Sequence, residues 1–234
     1  MKKLLILLNV FLYAPLFCSY SHIHQNTVIN VIQGDITALT GHDAIVNAAN
    51  SSLQHGGGVA RAIARAAGKR LQQYCMTIPS MGSEMGEKCP TGQAVITPSF
   101  KLAKNGVKHI IHAVGPRIPQ ATQPTTVHKK QLYDAYFNSL LLARHNGCTS
   151  IGFPSISTAI FGYDITLATP IALAAVTDFI NQYPDALKKI TFVLFCADDY
   201  TLYVDTLASH TTKTTLSIAP RFAPIIAWVR KKLL

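Results

Sequence analysis

Three short segments of this chain hold the residue types from which an anion-binding cleft could be built. The first is Asn47-Ala48-Ala49-Asn50-Ser51-Ser52, followed by His55-Gly56-Gly57-Gly58. Three successive glycines let a backbone approach a ligand closely and turn its N–H groups inward. A helix beginning at Val59 would add unpaired N–H donors and a partial positive charge, a setting suited to a diphosphate. The second segment is Pro154-Ser155-Ile156-Ser157-Thr158-Ala159-Ile160-Phe161-Gly162. Its small and hydroxyl residues offer a second set of phosphate contacts, and Phe161 could cover a sugar. The third is Gly34-Asp35-Ile36, where a carboxylate could accept a hydrogen bond from an exocyclic amine. Taken alone, Asp35 reads as readily as a turn or helix-cap residue, and the glycine run as a tight strand-to-helix turn. Neither Gly-x-x-x-x-Gly-Lys-Ser/Thr nor Gly-x-Gly-x-x-Gly occurs at the glycine run, so it is not one of the common nucleotide fingerprints.

The elements that must position these segments can be read from periodicity. Residues 28–32, 43–46, 94–97, 108–114, 150–154 and 190–196 are short β-rich or apolar runs. From Val59 the pattern turns helical: Val59, Ile63, Ala66, Ala67 and Leu71 recur every three to four residues, with Arg61, Arg65, Lys69 and Arg70 on other faces. Further helices are expected at about 128–146, 166–182 and 200–209, and a Gly-, Pro- and charge-rich loop at 77–92. Strands alternating with helices imply a mostly parallel sheet covered on both faces. In such a sheet ligands bind beyond the carboxyl ends of the strands, where all three segments fall.

The formal charge of +10 invites a nucleic-acid reading, but residues 22–212 carry 14 bases against 11 acids. The excess lies at the termini, which disfavours a groove tracking a phosphodiester backbone. Residues 1–21 read as an export signal, with Lys2 and Lys3, an apolar run from Leu4 to Phe17, and a small-x-small site at Ser19-Tyr20-Ser21. The chain is therefore expected to be exported, periplasmic or secreted, with the main domain at 22–210. Residues 211–234 form a basic and apolar tail, and Ile225–Val229 within it could touch a membrane. In an oxidising compartment Cys75, Cys89, Cys148 and Cys196 could pair, or they are four ordinary thiols; their spacing suggests no metal site. His112 and Cys196 read as packing residues on strands, and His109, His128 and His145 show no ligand spacing.

Together these segments resemble the macrodomain family, which binds ADP-ribose. The resemblance rests on Gly34-Asp35-Ile36-Thr37, Asp43 to Asn50, and His55-Gly56-Gly57-Gly58-Val59-Ala60. It continues through Cys89-Pro90-Thr91-Gly92-Gln93-Ala94, Ile111-His112-Ala113-Val114-Gly115-Pro116, and Phe153 to Gly162. It spans about residues 27–209 in the family's order and spacing, and it implies a three-layer α/β/α sandwich with a mixed, mostly parallel sheet. It implies that Asp35 binds the adenine amine and Ile36 the ring edge through its backbone, with Phe195 flanking the adenine. Gly57, Gly58 and Val59 would contact the diphosphate or distal ribose, and Ser157, Thr158, Ala159, Ile160 and Phe161 would close the other side. Asn50, His55 and Gly57 would form the catalytic set, with Asn50 on the distal ribose.

The resemblance implies hydrolysis of ADP-ribose linkages on proteins or small O-linked derivatives, by positioning and charge stabilisation. It calls for no cofactor and no metal, for ADP-ribose or an ADP-ribosylated protein as partner, and for a monomer. Two departures favour the alternative of a non-catalytic reader. Ala60 stands where the most active subgroup has Asp, and Ala159 where the family has Gly. If residue 159 needs φ > 0, its methyl costs ~1 kcal/mol or more. Arg61 is also unusual; it could reach an acidic partner or simply face solvent.

Overall fold

The computed structural model describes residues 19–81 and 86–221, with side chains through Ser209. The strands are β1 (Ser19–His24), β2 (Thr27–Gln33), β3 (Ala44–Ala48), β4 (Ala94–Pro98), β5 (His109–Ala113), β6 (Ser150–Phe153) and β7 (Lys189–Leu194). They form one sheet in the order β1-β2-β7-β6-β3-β5-β4. The five inner strands are parallel, while β1 and β4 lie antiparallel on the two edges. Pro98 is tolerated because it ends an edge strand.

Side chains alternate across the inner strands and fill two separate cores. Val46, Ile111, Phe153, Phe192 and Leu194 face one side, where α3 (Thr126–His145), α4 (Ile165–Gln182) and α5 (Ala197–Arg221) pack. Ile45, Ile110 and Val193 face the other, against Ile63 and Leu71 of α1 (Gly58–Ala67) and α2 (Lys69–Thr77). The result is the expected α/β/α sandwich.

Several boundaries differ from the sequence reading. The helix expected at 59–71 is two helices. The α path breaks at Gly68 (φ 86°), then resumes and runs to Thr77, the first residue of the expected loop. A 3₁₀ turn at Phe100–Asn105 links β4 to β5. α5 begins at Ala197, with Asp198 and Asp199 favourably placed in its positive first turn, and runs on to Arg221. β1 occupies Ser19–Ser21, so cleavage after Ser21 would leave only His22–His24 on the sheet edge. Residues 1–18 of the expected signal and Ile225–Val229 of the tail lie outside the described residues. Among the described residues all four cysteines are free. Cys196 is not a strand packing residue: β7 ends at Leu194, and Cys196 is exposed.

Asp43 ties the strand starts together at the edge opposite the loops. Its Oδ2 accepts from Thr149 N (2.8 Å), Thr149 Oγ1 (2.9 Å) and Ser150 Oγ (3.1 Å), and its Oδ1 meets Lys108 Nζ at 2.8 Å. Burial pushes this carboxyl up, but the bonds from Lys108, Thr149 and Ser150 outweigh it and hold the group far below the usual carboxylate range. Because Lys108 is exposed and screened, Thr149 and Ser150 supply most of the benefit. Asp43→Ala should cost about 2–4 kcal/mol of stability at neutral pH. A depressed folded-state pKa gives stability that is complete above the unfolded value of about 4 and fades as pH falls below it. Urea unfolding should therefore show the gap between wild type and Asp43→Ala narrowing below pH ~4. A gap that stays constant down to pH ~2 would contradict this account.

Candidate functional site

The carboxyl ends of the parallel strands share one edge of the sheet, and the loops leaving them enclose a cleft of about 690 Å³. That volume is typical of a pocket for a small molecule or cofactor (about 300–1,000 Å³). Its first wall is the β3–α1 loop. Asn50, Gly57, Gly58, Val59 and Ala60 line it. Gly57 is the N-cap of α1, and the first helical bond is Arg61 N–H to the Gly57 carbonyl at 3.1 Å. The N–H groups of Gly58, Val59 and Ala60 therefore precede the hydrogen-bonded ladder and are available to an anion. Gly58 has φ +53°, a left-handed value that L side chains rarely adopt. Arg61 folds back so that its Nε (2.8 Å) and Nη2 both donate to the Gly56 carbonyl. The guanidinium thus braces the glycine loop and does not simply face solvent.

The second wall is the β6–α4 loop, with Ser155, Ile156, Ser157, Ala159, Ile160 and Phe161 in the lining. It is pinned from below by tyrosines on two helices. Tyr136 Oη accepts from Ile156 N (2.9 Å), and Tyr203 Oη pairs with Ser155 Oγ (3.1 Å). Ile118 N–H also donates to the Phe161 carbonyl (2.8 Å). The backbone strain expected at Ala159 falls instead on Ser157 (φ 69°), whose buried Oγ has no protein partner. Ala159 has no positive φ, so its methyl does not carry the strain considered above. Ser157 packs against the chain at Gly115, where a Cβ would overlap Ser157 Oγ and Ile156 Cγ2. Only glycine lets the two loops close to this distance.

Asn50 sits on the first wall with its amide oriented by its own loop. Oδ1 accepts from Gln54 N (2.9 Å) and Ser52 Oγ (3.1 Å), while Nδ2 donates to the Gln54 carbonyl (2.9 Å). One of the two Nδ2 hydrogens is left for a ligand. Asp35 and Phe195 follow the ends of β2 and β7, which are joined by Gly34 N–H to the Leu194 carbonyl (2.8 Å). Oδ1 of Asp35 caps the following turn through Thr37 N and Oγ1 (both 2.8 Å), which leaves Oδ2 available. Phe195 is 84% exposed, Ile160 is 65% exposed, and the Ile36 side chain is buried in the core. By strand order, Asp35 and Phe195 flank the second loop on the side away from Asn50.

Of the expected site residues, Asp35, Ile36, Thr158 and Phe195 lie outside the cleft lining, and so does His55. The His55 ring turns toward His112, with centroids 5.5 Å apart, and its Nδ1 is held by Gln72 Oε1 at 2.6 Å. This geometry supports the loop from behind and gives His55 no contact with the cleft. The sequence reading does not single out Gly115, Arg117 or Thr91 as lining residues, nor Tyr136 and Tyr203 as braces. Among the described residues, no carboxylate lines the cleft.

A family model described as Macro domain matches residues 46–172. The O-acetyl-ADP-ribose deacetylase of Cronobacter sakazakii is 42% identical over 184 residues, 78% of this chain and 94% of the relative. That of Escherichia fergusonii is 45% identical over 178 residues, 75% of this chain and 92% of the relative. Among solved structures, the Oceanobacillus iheyensis macrodomain with ADP superposes with a TM-score of 0.75 at 36% identity, covering 84% of this chain and 98% of that one. The Trypanosoma brucei macrodomain in complex with ADP-ribose gives 0.65 at 34%, covering 76% and 68%.

Proposed function

From the premise that this chain belongs to the macro domain family, we propose that its cleft binds ADP-ribose and hydrolyses the acetyl ester of O-acetyl-ADP-ribose. The observation that carries the reading is the meeting of the α1 N-terminus and the 155–161 loop across one cleft, with Asn50 on one flank and Asp35 and Phe195 on the other. A diphosphate fits between the α1 N-terminus and residues 157–161. An adenine fits beside Phe195 with its amine on Asp35 Oδ2. The distal ribose then falls at Asn50, and Gly57 carries the backbone past it.

In this pose the protein contributes positioning and charge stabilisation. A water oxygen adds to the acetyl carbonyl, the bond to the ribose oxygen breaks, and acetate and ADP-ribose leave. With Ala60 in place of a carboxylate, the water's proton passes to a diphosphate oxygen of the substrate, and the ribose oxygen takes up a proton from solvent. The same geometry admits an ADP-ribosyl ester on a protein carboxylate.

The lack of any carboxylate among the described lining residues favours a second reading, a module that holds ADP-ribose without turning over its esters. Calorimetry with ADP-ribose followed by an acetate-release assay on O-acetyl-ADP-ribose separates the two. Binding with release supports the hydrolase, and binding without release leaves the reader. Absence of binding removes both.

A further inference from the structure

We propose that His55, Cys75 and His112 form a buried metal site behind the glycine loop, taking a zinc-like divalent ion. The inference is independent of what the cleft binds. These residues come from the β3–α1 loop, α2 and β5, and their ligand atoms all lie within 4.8 Å of one another. Cys75 and His112 are fully buried, and Cys75 Sγ is 3.9 Å from His112 Nε2. A tetrahedral ion with bonds of about 2.0–2.3 Å places neighbouring ligand atoms roughly 3.3–3.8 Å apart. That pair is therefore nearly in place, and no pair need close by more than about 1.5 Å.

The hydrogen bonds around the cluster prepare its nitrogens. Gln72 Nε2 donates to the Leu53 carbonyl (3.3 Å), which fixes the amide so that Oε1 faces His55. Oε1 then accepts from both His55 N (3.3 Å) and Nδ1 (2.6 Å). The proton is held on Nδ1, and Nε2 is left with a lone pair, buried and without a protein partner. An outer group that fixes the tautomer of a ligating imidazole is the usual support of a metal site.

His112 can be set the same way. Its Nδ1 lies 3.0 Å from the Asn47 amide, whose Oδ1 is itself buried and unpartnered. Half a turn of that amide lets Oδ1 accept from Nδ1–H, which leaves a lone pair on Nε2. Thr97 Oγ1, now 3.1 Å from Nε2, has the Pro98 and Ile110 carbonyls at 3.2 and 3.4 Å as alternative acceptors.

Burial pushes the Cys75 thiol up to about 11, and burial followed by the His55 ring pushes His112 down to about 3. Binding releases one proton, from the Cys75 thiol to solvent. Water takes the fourth position. The two-nitrogen, one-thiolate donor set suits Zn²⁺ over Mg²⁺ or Ca²⁺. The ion would fasten α2 and β5 to the loop that presents Gly56–Gly58.

The test is a Co²⁺ titration of the full chain, followed by displacement with Zn²⁺. We expect one tetrahedral Co²⁺ per chain with a thiolate charge-transfer band, bleached by one equivalent of Zn²⁺. With free Zn²⁺ about 100-fold above its Kd, Tm should rise by roughly 5–10 °C. Cys75→Ser, checked for folding by circular dichroism, should lose the band, and Cys196→Ser should keep it. Absence of a thiolate band in wild type overturns the proposal whatever the variants do. So does a band that survives Cys75→Ser or disappears in Cys196→Ser.

Discussion

Gly57→Glu is expected to weaken ADP-ribose binding by about 1,000-fold or more while leaving thermal stability close to that of the wild type. Residue 57 has φ −157° and ψ 177°, an extended backbone that any residue adopts. A Cβ there would lie 2.8 Å from Ile160 Cδ1, the far end of a side chain that is 65% exposed and free to swing outward. The substitution therefore creates little strain. Its carboxylate would stand over the N–H groups of Gly58, Val59 and Ala60, where the ligand's diphosphate is proposed to sit. At 4 Å and an effective dielectric constant of 20, two like charges repel by about 4 kcal/mol, close to 1,000-fold in Kd. The same carboxylate at a helix N-terminus contributes about 0.3–1 kcal/mol to the fold. Calorimetry and a thermal melt on the same sample check both halves. A Kd within 10-fold of wild type, with the melt unchanged, would place the anion elsewhere.

Local physics made most of this arrangement legible in the sequence. The inner strands announced themselves as short apolar runs, because strands buried on both faces need apolar residues at every position. The glycine run, Asn50 and the 154–162 segment were found because each lies where a strand pattern stops and a helix pattern starts. What stayed hidden depends on contacts between distant residues. Nothing local to Gly115 says that Ser157 will press against it. Nothing in the spacing of His55, Cys75 and His112 says that three elements will bring them together, since metal spacing rules read neighbours along one element. His55 shows the converse. Its place beside the glycines suggested a role in the cleft, but Gln72, 17 residues on, turns its ring to the other side of the loop. Arg61 read as a solvated helix face because its partner, the Gly56 carbonyl, is a backbone group in a loop whose shape the sequence does not display.

Asn50→Ala is expected to lower kcat on O-acetyl-ADP-ribose by about 100- to 1,000-fold, the usual cost of deleting one preorganised donor at the reacting centre. Three of the amide's bonds are internal: two accepted from Gln54 N and Ser52 Oγ, and one donated to the Gln54 carbonyl. They hold the remaining N–H in a fixed direction, so that donor costs no reorganisation when charge develops beside the distal ribose. Gln54 is exposed, and water can replace the amide at its backbone, so the loop should survive the truncation with a modest loss of stability. The diphosphate and adenine contacts do not involve Asn50, and the Kd for ADP-ribose should change by less than about 10-fold. The separation between kcat and Kd is the diagnostic. A residue that merely shaped the loop would weaken binding and turnover together. Steady-state kinetics on Asn50→Ala, with calorimetry on the same preparation, reads the two quantities apart. If kcat is unchanged, Asn50 does not touch the reacting centre; if kcat and affinity fall in parallel, its role is to shape the loop.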